Sequence, residues 1–147
     1  MTRAIPTERI GWKPPERDRT VGDLAFHVFR VGLSFADAMD LGQLPESWFG
    51  ERAPADLADG PAIARYGTLV RGRLAGWFEG AADSEFARDV QTYYGPQSAH
   101  DFLERTTWHA AQHLRQLHVL ADRLGITLPS SLDPSLFQDL PMPESIW

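Results

Sequence analysis

His109 and His113, four residues apart in His109-Ala-Ala-Gln-His113, have the type and spacing to do chemistry together. On an α-helix, positions i and i+4 differ by about 40° around the axis, so the two rings lie on one side and can converge on a single ion. A third histidine, His27, falls within the apolar stripe of a separate helical pattern far upstream. Zinc accepts imidazole nitrogen at roughly 2.0–2.1 Å, and catalytic zinc sites typically have three protein ligands with one position open. His27, His109 and His113 are therefore read as the ligands of one metal ion. The competing reading is three ordinary histidines, each with its own hydrogen-bond partner. His100 and His118 lie nine residues before and after His109. That is half a turn out of phase, which places both on other faces of the helix.

The residues around the pair narrow the chemistry. A zinc protease of the HExxH type needs glutamate after the first histidine, and Ala110 stands there. Di-iron bundles use Glu-x-x-His, but Thr106 precedes His109 by three and Ala110 precedes His113 by three. There is no P-loop, GxGxxG turn or GxSxG elbow to support a nucleotide-binding or serine-hydrolase reading. The chain has no cysteine, so disulfides, thiolate ligands and a protein-borne thiol nucleophile are excluded together.

Three helical patterns must position these histidines. Thr20-Val-Gly-Asp23 is a capping box that opens the first, which runs to Leu41 and places Leu24, His27, Val28, Val31, Phe35 and Ala38 on one face. Asp59-Gly60-Pro61 starts the second, whose stripe is Ile63, Tyr66, Val70, Leu74, Trp77 and Phe78 before a stop at Gly80. Ser98-Ala-His-Asp101 opens the third and longest. It continues to Leu124 and ends at Gly125, with Phe102, Thr106, His109, Ala110, His113, Leu117, Leu120 and Leu124 along one side.

Breakers separate these patterns. Residues 1–19, with Pro6, Pro14 and Pro15, are expected to form an extended arm pinned by Trp12. Residues 42–58 read as a connection tucked in by Trp48 and Phe49, and 81–97 as a long loop or short extended piece. Residues 126–147 read as a strap over the bundle, with one helical turn between Pro134 and Gln138. The expected fold is all-α, a single domain of 1–147 with arm 1–19, helical core 20–125 and strap 126–147. Three helices make a thin core, so a homodimer is expected to supply the missing cover.

The bulk numbers agree with a folded domain. At 147 residues, 43% hydrophobic and 23% charged, the chain can bury one core without staples. Its formal net charge of -6 would repel phosphate backbones, so no nucleic-acid partner is expected. No stretch has the pattern of a signal peptide or the ~18 apolar residues of a membrane span, which gives an expected cytoplasmic location with no membrane partner.

Three segments together resemble the DinB/YfiT-like superfamily of metal-binding helical bundles. They are Arg19-Thr-Val-Gly-Asp-Leu-Ala-Phe-His27, Glu104-Arg-Thr-Thr-Trp-His-Ala-Ala-Gln-His113-Leu-Arg-Gln-Leu117, and Leu140-Pro-Met-Pro-Glu-Ser-Ile-Trp147. The resemblance covers most of the chain. It implies His27, His109 and His113 as ligands of one divalent ion, with zinc or nickel favoured. Relatives include thiol-dependent S-transferases and mycothiol-dependent maleylpyruvate isomerases. Family members usually carry a complete first helix before the segment equivalent to residues 1–19, which this chain is expected to lack. That departure fits a short form, a fragment or a dimer that fills the gap.

With no thiol in the chain, the resemblance implies a metal-dependent transferase that uses a low-molecular-weight thiol and an electrophilic substrate. A metal-dependent hydrolase is the chemical alternative. The non-enzymatic one is a metal- or ligand-binding module that docks a partner domain. Gln112, Gln116, Tyr66, Tyr93, Tyr94 and Arg105 are candidate substrate contacts, although packing or exposure is the favoured reading of each.

Overall fold

The computed structural model describes residues 1–147. A 3-10 turn at Thr2–Ala4 and one α-helical turn, α1 (Thr7–Ile10), lead into α2 (Val21–Leu41). Strand β1 (Gln43–Leu44) and the single turn α3 (Ser47–Gly50) follow, and then α4 (Gly60–Gly80). A 3-10 segment at Asp83–Ala87 precedes strands β2 (Asp89–Thr92) and β3 (Gly95–Ser98). Helix α5 (Ala99–Arg123) completes the framework, and a last 3-10 turn at Pro134–Phe137 interrupts the tail. No helix is long and apolar enough to cross a membrane.

The three long helices start where their capping residues predict. Thr20 Oγ1 accepts from the Asp23 amide at 3.0 Å while Asp23 returns the bond to the Thr20 amide at 3.2 Å, a complete capping box. Asp59 and Ser98 accept from the amides of Ala62 and Asp101 at the starts of α4 and α5. Helix α2 stops at Gly42, whose φ of 71° is the left-handed conformation that glycine adopts at little cost.

The expectation of an all-α chain is wrong in one respect. A three-stranded mixed sheet of order β1-β2-β3 closes one end of the bundle, with β1 parallel to β2 and β2 antiparallel to β3. Its strands are two to four residues long and include Gly95 and Pro96. They are too short to carry a period-two signal, and Gly and Pro are depleted in strands. The sheet is nevertheless anchored, since Leu44, Val90 and Ala99 are buried with Phe35, Met39 and Phe102. The arm also departs from expectation, because residues 2–4 and 7–10 coil into short turns rather than extending.

Helices α2 and α5 run antiparallel and share two apolar clusters. One joins Val21, Leu24 and Ala25 to Leu117, Leu120 and Ala121, with Ile5, Ile63 and Ile126 completing it. The other joins Phe35, Ala38 and Met39 to Ala99 and Phe102. Between them lies a polar layer of His27, Arg30, Ser34, Thr106 and Gln116, all buried.

Glycines mark where backbones meet. A Cβ on Gly60 would collide with the carbonyl oxygen of Thr2 and stand 2.8 Å from that of Ile5, whereas Gly72 and Gly76 face open space. Gly60→Ala is therefore expected to destabilise the fold by about 1–3 kcal/mol through forced displacement of the arm. Gly76→Ala, in an open helix interior, should stabilise it by about 0.5–1 kcal/mol. Denaturant unfolding of the two variants checks the opposite signs.

Candidate metal centre

The polar layer brings the three predicted histidines together. His27 comes from the second turn of α2, and His109 and His113 come from successive turns of α5. Ring centroids are 4.6 Å apart for His109 and His113, 4.9 Å for His27 and His113, and 5.5 Å for His27 and His109. One ring nitrogen from each lies within 4.8 Å of the others. His27 is only 3% exposed. The Nδ1 atom of His27 and the Nε2 atom of His113 are buried without a hydrogen-bond partner. Buried polar atoms are ordinarily satisfied, so two unpartnered ring nitrogens within a cluster of three imidazoles fit a Lewis acid bound there. The donor set, three imidazoles and no thiolate, suits zinc, nickel or another divalent transition ion.

The electrostatics hold all three rings neutral, the form that ligates metal. Burial pushes the pKa of His27 down to about 2, assisted by the nearby cations of Arg19 and Arg30 and by the other two imidazoles. Burial likewise brings His109 down to about 3, with His113, Arg105 and Arg19 adding to the effect. His113 is lowered chiefly by burial, against a hydrogen bond to Gln116 that favours its charged form.

The connection after α2 covers the imidazoles. Phe49 stacks on His109 at 5.6 Å with the planes 7° apart, and it meets His27 edge-on at 6.2 Å. Arg19 secures this segment by donating to the carbonyls of Phe49 and Glu51. Arg30 pairs with Glu51, donates to Ser34 Oγ at 3.0 Å and lies 4.7 Å over the Trp48 ring. Phe49 and Arg19 are site residues that sequence reasoning missed as such, since Phe49 was assigned only a packing role. Periodicity carries no signal for a residue in a connection.

A cavity of about 330 Å³ reaches His113 from outside. Arg17, Arg19 and Arg52 line it together with Asp18, Gln112 and Trp147. Arg52 is paired with Asp18 and Asp23. Arg17 instead lies 4.9 Å over the Trp147 ring, leaving the cavity a cationic wall.

The remaining candidates separate clearly. Gln112 lines the cavity. Gln116 is buried and bonded to His113, at 2.6 Å between Oε1 and Nδ1. Tyr93 packs on Phe49, and Tyr94 lies beneath Arg105 at 4.4 Å. Tyr66 stacks on Phe26 and meets Phe29, as a packing residue would. His100 stands near Glu104 at 3.9 Å, with both side chains largely exposed, outside the cluster. His118 is not among the gathered histidines either.

The fold and this histidine cluster together define a class of protein. The sequence model of the DinB superfamily matches residues 1–117, and the chain belongs to that superfamily. The match begins at residue 1 and so takes in the arm. Among solved structures, the chain is similar to a DinB-like protein from Bacillus subtilis, with 19% identity and a TM-score of 0.67. The alignment covers 90% of this chain and 87% of that one, a likeness of fold. No curated protein matches the sequence.

The depressed histidines make stability depend on pH. An unfolded histidine titrates near 6.5, whereas folded His27 titrates at about 2. Between those values the unfolded chain binds more protons than the native state, so stability is full above about pH 6.5 and falls as pH drops. A buried histidine of this kind contributes a slope of up to about 1.4 kcal/mol per pH unit. Denaturant unfolding of metal-free protein between pH 7 and pH 5 should show the decline, and His27→Gln should make it shallower, with His109 and His113 sustaining the remainder. An unchanged slope in that variant would contradict the assignment.

Proposed function

We propose that the chain binds one divalent metal ion, zinc or nickel, through His27, His109 and His113, and uses it to transfer a low-molecular-weight thiol onto an electrophile. The observation that carries the reading is the convergence of three neutral imidazoles, one buried and two half-buried, next to a cavity that reaches His113. A divalent ion in such a site lowers the pKa of bound water to about 7 and deprotonates a coordinating thiol outright.

The protein's own residues supply the rest. Three uncharged ligands leave the full double charge of an ion to act on the thiol. Arg17 and Arg19 form the cationic side of the cavity and suit a thiol or electrophile that bears a carboxylate. Phe49 covers His109 and limits water at the imidazoles. In the reaction a sulfur–carbon bond forms as the electrophile's leaving group departs with its electron pair, and the thiol proton passes to solvent or to the leaving group. The chain has no cysteine to compete as nucleophile, so the thiol is external. Low-molecular-weight thiols keep the cytoplasm reducing, and the reaction is assigned there.

Metal analysis of His27→Ala, His109→Ala and His113→Ala tests the ligand set. Each variant should lose most of the single equivalent of metal, and full stoichiometry in all three would refute the site. Incubation of metal-loaded protein with a panel of small thiols and electrophiles tests the chemistry. Metal-dependent thioether products are expected. Hydrolysis without thiol incorporation would move the protein to the hydrolases, and no product with any pair would leave a metal-binding module.

A further inference from the structure

The strap that follows α5 touches the centre through one side chain. Gln116 is 4% exposed and uses both ends of its amide. Its Nε2 donates to the Ile146 carbonyl at 2.8 Å, and its Oε1 faces His113 Nδ1 at 2.6 Å. A backbone carbonyl can only accept, so flipping the amide would set two oxygens against each other at Ile146. The orientation of Gln116 is therefore dictated by the strap. With Oε1 fixed toward His113, Nδ1 must carry the proton of the neutral ring, which leaves the lone pair on Nε2. That nitrogen is the one buried without a partner.

The strap is itself held by its backbone. Trp108 Nε1 donates to the Pro141 carbonyl at 2.6 Å. Arg115 Nη2 donates to the carbonyls of Pro143 and Ser145, each at 2.8 Å. Residues 108 and 115 are two turns apart on α5 and Gln116 adjoins Arg115, so neighbouring positions on one flank of the helix read successive strap carbonyls. The Trp147 ring then lies 4.9 Å from the Arg17 guanidinium and 5.9 Å from that of Arg123.

We infer that the strap belongs to the metal centre: the Ile146 carbonyl orients Gln116, and Gln116 fixes His113 as the tautomer whose Nε2 is free to ligate. Gln116 is a positioning residue, acting through His113. The inference rests on the metal reading above for its consequence, and on the hydrogen-bond geometry alone for its mechanism. Outer partners of this kind commonly contribute 10- to 100-fold in metal affinity.

The test begins with the metal-free wild-type protein, whose His113 tautomer is read from long-range proton–nitrogen NMR correlations. The Nδ1-protonated form is expected, and a dominant Nε2-protonated form would overturn the inference. Three variants follow: Gln116→Leu, Gln116→Glu, and a chain ending at Ser145. Gln116→Leu and the shortened chain should give a mixed tautomer and about 10- to 100-fold weaker zinc binding in chelator competition. Gln116→Glu, which retains the acceptor, should keep the wild-type tautomer. A folded shortened chain with unchanged tautomer and zinc affinity would also overturn the inference. If Gln116→Leu does not fold, the wild-type spectrum and the shortened chain decide. Failure of the wild-type protein to bind zinc would refute the metal reading separately, since the tautomer is measured without metal.

Discussion

The structure depends on the antiparallel pairing of α2 with α5, which gathers one buried and two half-buried imidazoles between two apolar clusters. Val21, Leu24 and Ala25 meet Leu117, Leu120 and Ala121 on one side, while Phe35, Ala38 and Met39 meet Ala99 and Phe102 on the other. Each cluster fixes the register of the helices at its own end. Together they hold the middle layer, where His27 faces His109 and His113, without asking that layer to stabilise itself. Polar atoms in such a layer are costly unless satisfied, and two ring nitrogens are left without a partner. The scaffold tolerates that local deficit because the hydrophobic contacts above and below are extensive.

Arginine organises the rim of this layer. Arg19 and Arg30 both fasten to the connection after α2, through the carbonyls of Phe49 and Glu51 and the carboxylate of Glu51. Their cations also disfavour protonation of His27, so the groups that tie down the cover help keep the ring neutral. A chain of formal charge -6 thus concentrates positive charge where its imidazoles meet.

Much of this was legible in the sequence, for a physical reason. The long helices carry 3.6-residue periodicity and chemically explicit caps, such as Thr20 with Asp23, so their starts, the shared face of His109 and His113 and the place of His27 in the apolar stripe of α2 follow from spacing. The sheet did not follow, because strands of two to four residues containing Gly95 and Pro96 are specified by tertiary contacts of Leu44 and Val90 rather than by local pattern. Residues 7–10 likewise form a turn too short for periodicity to register. Phe49 escaped its role for a related reason, and Gln116, although three residues after His113 on α5, takes its orientation from the Ile146 carbonyl in the strap. Spacing can name the side chains that point toward a site, but not those that cover or orient them from another segment.

Phe49 also has a stereochemical consequence. Its ring lies flat on His109, while the cavity approaches His113 past Arg17 and Trp147. Phe49 thereby shields one side of His109, while the cavity opens on His113 between groups that are themselves asymmetric. A nucleophile held at such a centre, with its electrophile oriented in the cavity, would meet only one face of a trigonal carbon. The handedness of any new stereocentre would then be written by an aromatic ring that takes no part in bond making.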